Sequence, residues 1–160
     1  MRTADPSVRL ALVGDGPLAG AVDAGVRRLG LGGAVHRTGA IPHDDVAPWM
    51  AAADVLSMVS RNEPLGVVAL EALASGRPVV ATSVGGAREV VPADGPGRIV
   101  DPGDPAALAA ALTATLSSPP DPAACRAVAE GHSLALQAAR VEAVLEDAVA
   151  DGAAARVPRR

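Results

Sequence analysis

Residues 55–82 read VLSMVSRNEPLGVVALEALASGRPVVAT. Val55 to Val59 is a short apolar run, and Pro78 to Thr82 is another. Gly66 to Ala74 between them is rich in Ala, Val and Leu and long enough for two helical turns. Ser75-Gly76 supplies a helix stop, and Pro78 can open a strand where its missing N–H matters little. The segment therefore reads as strand, helix, strand. Neither strand alternates apolar with polar residues, as expected of parallel strands covered on both faces.

The same alternation extends outward. Further strands are expected at Val8 to Val13, Ala34 to Arg37 and Arg98 to Val100. Helices are expected at Leu18 to Leu29, Asp44 to Ala52, Ala87 to Val91, Ala106 to Leu116, Ala123 to Glu130 and Leu134 to Val149. Asp104-Pro105 places a capping carboxylate ahead of a proline at the first helical position. The fold class is α/β with a parallel sheet. Residues 8–150 form one domain, with residues 1–7 and 151–160 expected to be disordered ends.

Composition narrows the function. The chain has 160 residues, 49% hydrophobic, yet Trp49 is its single aromatic, so Ala, Val and Leu must build the core. The lone Cys125 excludes an internal disulfide and a cysteine-built zinc site. No apolar run reaches the length of a membrane span, and the N-terminus lacks the apolar stretch of a signal peptide. A cytoplasmic domain is expected. The net charge is −4, and all basic residues are arginine. Nucleic acid is disfavoured, because it rewards a basic surface and aromatic stacking platforms.

Gly14-Asp15-Gly16-Pro17-Leu18-Ala19 follows a strand and opens a helix, formally matching a dinucleotide-binding turn. That motif also wants an acidic residue on the next strand, where this chain has His36-Arg37. Arg37 leaves an NADP reading open through a 2′-phosphate. The favoured reading is a plain strand-to-helix turn.

Glu63 and Glu71 are more informative. Pro64 pushes Glu63 toward an extended conformation and starts a helix, so Glu63 sits beyond the carboxyl end of a parallel strand. Ligands of open α/β sheets bind there. Gly66 would let a ligand approach the backbone, and free amides at the helix mouth favour a diphosphate. Eight residues separate the glutamates, about 12 Å if the whole segment were helical. They could grip hydroxyl groups on either side of a diphosphate, as in a nucleotide sugar. From spacing alone, two solvated or capping glutamates on a surface helix fit equally well.

The E-x7-E spacing, followed by Ala72-Leu73-Ala74-Ser75-Gly76-Arg77-Pro78-Val79-Val80 and Gly85-Gly86, resembles the donor-binding domain of GT-B retaining glycosyltransferases of family four. Landmarks before and after it, from Val13-Gly14-Asp15-Gly16-Pro17 to Val100-Asp101-Pro102-Gly103-Asp104-Pro105, follow the same order. The resemblance implies a Rossmann-like parallel sheet with helices on both faces. It implies that Glu63 lies against the donor hexose as the candidate catalytic residue and that Glu71 holds the ribose. Leu65, Gly66 and Val67 match the turn whose amides meet sugar and diphosphate, with Leu65 where the family often has Phe. Ile41 matches the edge that contacts the base.

Two family features have no counterpart here. The first strand–helix unit, whose Arg and Lys clamp the diphosphate, is not in these residues, nor is the N-terminal domain that forms the other cleft wall. In the strand order 3-2-1-4-5-6 the absent strand is central, so two half-sheets needing a partner strand are expected. Little turnover is expected without that positive charge. The partners implied are a nucleotide-diphosphate sugar and an N-terminal domain or upstream segment. No metal or other cofactor is implied: His36, His43 and His132 are scattered without ligand spacing, and Asp44-Asp45 reads as a helix start. Arg61, Arg77 and Arg88 read as solvated, and Cys125 as packed. A non-catalytic assembly domain that docks onto a separate glycosyltransferase half remains an alternative.

Overall fold

The computed structural model describes residues 5–92 and 95–154. In chain order the elements are β1 (Leu10–Val13), α1 (Ala19–Arg28), β2 (Val35–Gly39), a single 3-10 turn (His43–Asp45), α2 (Val46–Ala52), β3 (Leu56–Met58) and α3 (Val67–Ala74). They continue with β4 (Val79–Thr82), α4 (Ala87–Val90), β5 (Gly97–Val100), α5 (Pro105–Ser117), α6 (Pro122–Glu130) and α7 (Leu134–Ala154). Every strand pairing is parallel, and helices connect the strands, as the α/β reading expects. The strands lie in two sheets, β1–β2 and β3–β4–β5. These are the two half-sheets expected for a chain without the central strand.

Local chemistry sets the helix ends. Asp104 Oδ1 accepts from the amides of Ala106 and Ala107, both at 2.9 Å, and Pro105 opens α5. Asp121 Oδ1 accepts from Ala123 N at 2.8 Å ahead of α6. At the end of α3, Gly76 takes φ +75°, Gly76 N donates to Leu73 O, and Arg77 N donates to Ala72 O. That is a Schellman motif, open to glycine because it needs a left-handed residue.

The core surrounds the three-stranded sheet. All four residues of β4 are buried, and Ala69, Ala72 and Leu73 of α3, Ala87 and Val90 of α4, and Cys125 of α6 pack with them. Small side chains let α3 and α6 approach closely: a Cβ at Gly76 would lie 3.1 Å from Pro122 Cβ. Cys125 is packed, as expected, and burial pushes its thiol pKa up.

Three expectations need correction. β1 is not covered on both faces: Leu10 and Val13 remain 45% and 40% exposed, and α1 buries none of its residues. With only β2 beside it, β1 has too few neighbours to shed its water. The helix expected at Asp44 to Ala52 begins as a 3-10 turn, and α2 proper starts at Val46. Finally, α7 continues past Val149 to Ala154, four residues into the stretch expected to be a disordered tail, through strong helix formers such as Ala150 and Ala153. Residues 1–4 and 155–160 of the expected disordered ends lie outside the described residues, and Asp5 and Ser7 form a small turn through the Asp5 carboxylate.

Candidate functional site

β3 ends at Met58, and the chain runs from there through Glu63 to the mouth of α3. Thr82 Oγ1, at the carboxyl end of β4, donates to Ser60 O at 2.7 Å and anchors the start of that loop. Ser60 Oγ donates to Glu63 Oε2 at 3.0 Å, and Gly66 N donates to Glu63 Oε1 at 2.9 Å. The half-buried Glu63 carboxylate is thus held by both oxygens at the positive end of a helix.

Gly66 plays a different part from the one expected. It is the residue before α3, not in its first turn, with φ +85° and ψ 39°, and it is buried. A Cβ there would meet Met58 Cε at an ordinary 3.4 Å, so the left-handed backbone, rather than room for a ligand, calls for glycine. Its amide is spent on Glu63. The amides still without a partner at the mouth, among the described residues, are those of Val67 and Val68, because Ala69 N and Leu70 N both return to Gly66 O. Leu65 and Val67 flank this opening with 48% and 53% of their surface exposed.

Glu71 lies on α3, half-buried, and its carboxylate has no partner among the described residues. Since α3 starts at Val67, the path from Glu63 to Glu71 is a loop followed by one turn of helix. The continuous-helix spacing of the two carboxylates therefore does not apply. Glu63, Leu65 and Gly66 lie on the approach to α3, and Val67 and Glu71 lie one turn apart on it. Ile41 is half-buried in the loop leaving β2, the strand that pairs with β1.

Gly85 and Gly86, which the resemblance marks only by position, have a structural role. Gly86 N donates to Glu63 O at 3.0 Å. A Cβ at Gly85, where φ is +50°, would lie 1.8 Å from Glu63 O, and one at Gly86 would lie 2.7 Å from Pro64 O. The two loops meet backbone to backbone, and no other residue type fits there without a shift. Ser60 and Thr82 were missed altogether. A polar residue at the end of each of two neighbouring apolar strands was the available signal.

The arginines divide. Arg77 Nη2 donates to Ala51 O at 2.6 Å, beside the end of α3 opposite to Glu63, and its Nε is buried without a partner. Arg61 and Arg88 are exposed. The glycine turn after β1 uses its own amides: Gly14 N donates to Gly39 O at 3.0 Å and Gly16 N to Asp15 Oδ1 at 2.8 Å. Arg37 Nε pairs with Asp23 Oδ1 at 3.2 Å, so a 2′-phosphate would have to compete with that carboxylate. His36 is stacked on Trp49, with ring centroids 5.5 Å apart. Among the described residues, no three His, Cys, Asp or Glu side chains gather as a metal site, and no helix is long and apolar enough to cross a membrane.

A domain of parallel strands and helices, with Glu63 and two open amides at the mouth of one helix, is a Rossmann-like ligand-binding domain. A profile for glycosyl transferases group 1 matches residues 1–118, and the chain belongs to that family. It is 44% identical over 103 residues to the 2-deoxystreptamine N-acetyl-D-glucosaminyltransferase of Streptomyces fradiae, covering 64% of this chain and 24% of that protein. It is 40% identical over 105 residues to D-inositol 3-phosphate glycosyltransferase 1 of Catenulispora acidiphila, covering 66% and 25%. Among solved structures, sucrose-phosphate synthase from Thermosynechococcus elongatus superposes with a TM-score of 0.71 at 31% identity, over 91% of this chain and 40% of that one. HepE of Anabaena, in complex with UDP and glucose, superposes with a TM-score of 0.76 at 27% identity, over 87% and 41%. The chain therefore spans about a quarter of the length of these curated relatives.

Proposed function

We propose that this domain binds the donor of a retaining glycosyltransferase that moves a hexose from a nucleotide-diphosphate sugar to an acceptor. The observation that carries the reading is the mouth of α3, where Val67 N and Val68 N are without partners beside a carboxylate held by Ser60 and Gly66. Two aligned amides at a helix N-terminus suit a diphosphate oxygen. Glu63, fixed by both oxygens, presents a rigid acceptor to sugar hydroxyls. Glu71, without a partner, is free to take the two ribose hydroxyls. Ile41 would border the base. The complex of HepE with UDP and glucose agrees with this ligand class.

Glu63 also sets a limit on what the domain does alone. A diphosphate at the α3 mouth lies close to its negative charge, and Arg77 is engaged near the far end of the helix. Arg61 and Arg88 are exposed and held by no partner among the described residues, so the reading takes the fixed positive charge for the departing nucleoside diphosphate from a segment outside these residues, and the isolated domain turns over little. The reading asks for no metal ion or organic cofactor, and it places the reaction in the cytoplasm. The NADP alternative fits less well, because the amides of Gly14 and Gly16 are already bonded within the chain.

Titration calorimetry with UDP, GDP, ADP and NADP, run beside Glu71→Ala, tests the assignment. Binding of one nucleoside diphosphate that weakens at least tenfold in the variant supports it and names the base. NADP binding unaffected by the substitution would overturn it.

A further inference from the structure

The most deeply set hydroxyl beside the site lies on β4, not on the loop that carries Glu63. Val79, Val80 and Ala81 make the rest of that strand wholly apolar, and Thr82 is only 6% exposed. A valine there would fill nearly the same volume with no hydroxyl to desolvate, so the oxygen calls for a use. Thr115, the other buried polar side chain among the described residues, bonds back to Ala111 O on its own helix. Thr82 instead reaches across to another element. The β3–β4 ladder ends at the pair Met58 and Ala81, whereas β4 runs on to Thr82, which pairs with Val100 of β5. Beyond Met58 the side chain takes over from the ladder. Thr82 Oγ1 stands 2.7 Å from Ser60 O and 3.5 Å from Met58 O, and its one proton goes to the nearer carbonyl.

From Ser60 the contact passes to Glu63. The Ser60 hydroxyl donates to Glu63 Oε2 at 3.0 Å, and Gly66 N donates to Glu63 Oε1 at 2.9 Å. Arg61 and Asn62, which lie between Ser60 and Glu63, are exposed and make no hydrogen bond among the described residues. The loop is therefore held at its ends, at Ser60 by Thr82 and at Glu63 O by Gly86 N. Freeing Ser60 O would loosen the hydroxyl that orients one carboxylate oxygen. Gly86 would still keep the main chain of Glu63 in place.

We infer that Thr82 is a positioning residue for the Glu63 carboxylate, acting through Ser60, and that it sets how well the site distinguishes a nucleotide sugar from the bare nucleoside diphosphate. The second half rests on the donor reading. In that reading the diphosphate takes the amides of Val67 and Val68, which belong to α3 and do not depend on Thr82. The sugar hydroxyls meet Glu63, whose aim depends on Ser60. Loss of one such hydrogen bond changes an equilibrium about fivefold.

Amide hydrogen exchange tests the first half without a ligand, on Thr82→Val and Thr82→Ser beside the parent. Gly66 N should exchange about fivefold faster in Thr82→Val and at the parent rate in Thr82→Ser. Gly76 N, which donates to Leu73 O at the far end of α3, should be unchanged in both. In a Ser60→Ala background Thr82→Val should add nothing further at Gly66, because the path runs through Ser60. If Thr82→Val does not fold, Thr82→Ala carries the same expectation. Equal Gly66 rates in the parent and Thr82→Val would overturn the inference, as would Gly66 and Gly76 rates raised alike, or Thr82→Ser behaving as Thr82→Val. Calorimetry with UDP and UDP-glucose, GDP and GDP-glucose, and ADP and ADP-glucose reads the second half. The gain in affinity that glucose brings should fall about fivefold in Thr82→Val and return in Thr82→Ser, while the nucleoside diphosphate binds as in the parent. An undiminished gain would overturn the specificity role. A parent that binds none of the three pairs would overturn the donor reading and the second half with it, and the Gly66 rates would still decide the first.

Discussion

The main-chain N–H of Gly86 donates to the carbonyl of Glu63 at 3.0 Å, so the loop after β4 is laid directly on the loop after β3. Two glycines make this possible, and the position of the Glu63 carboxylate depends on them. The candidate site is in this sense built by both loops, although only the first carries Glu63.

Gly85→Ala should therefore be among the costly single changes in the chain. The new Cβ would stand 1.8 Å from Glu63 O at φ +50°, combining a clash with left-handed strain. A loss of about 2–4 kcal/mol is expected in urea denaturation. A loss below about 0.5 kcal/mol would show that the loops separate easily.

Ser60→Ala removes one of two hydrogen bonds to the Glu63 carboxylate and leaves the Gly66 bond in place. Stability should fall by about 1 kcal/mol or less. Donor affinity, measured by calorimetry with the nucleotide sugar, should fall more than affinity for the nucleoside diphosphate alone. Equal losses for the two ligands would mean that Glu63 does not face the sugar.

Leu73→Ala tests the core. Leu73 is fully buried at the contact of α3 with the sheet, and its truncation should cost about 2–5 kcal/mol by thermal or urea unfolding. The cap at Asp104 offers a smaller comparison: Asp104→Ala strands two amides and should cost about 0.5–2 kcal/mol.

Burial raises the Cys125 pKa in the folded chain, so the unfolded thiol ionises first. Its contribution to stability is constant at low pH and declines as pH rises above the ordinary thiol value of about 8.5. The urea midpoint should drop more between pH 7 and pH 9.5 in the parent than in Cys125→Ala. Equal drops would show that the thiol ionises as readily folded as unfolded. The native thiol should also resist a disulfide reagent that labels the unfolded chain at once.

Much of this protein follows from local sequence. Asp104-Pro105 and Ser75-Gly76 mark helix ends because capping uses neighbouring side chains and backbone. The apolar run of β4 announces a strand buried on both faces, and Pro64 places Glu63 ahead of α3. The resemblance carried by Glu63 and Glu71 also gave reason to expect two half-sheets. What tertiary structure alone decided involves residues far apart in the chain. The close approach of Gly85 to Glu63 and the engagement of Arg77 with Ala51 depend on where the chain returns. The exposure of β1 likewise depends on which strand lies beside it. Hydrogen bonds within a turn are set by the residues that form it, whereas these contacts exist only once the elements have packed.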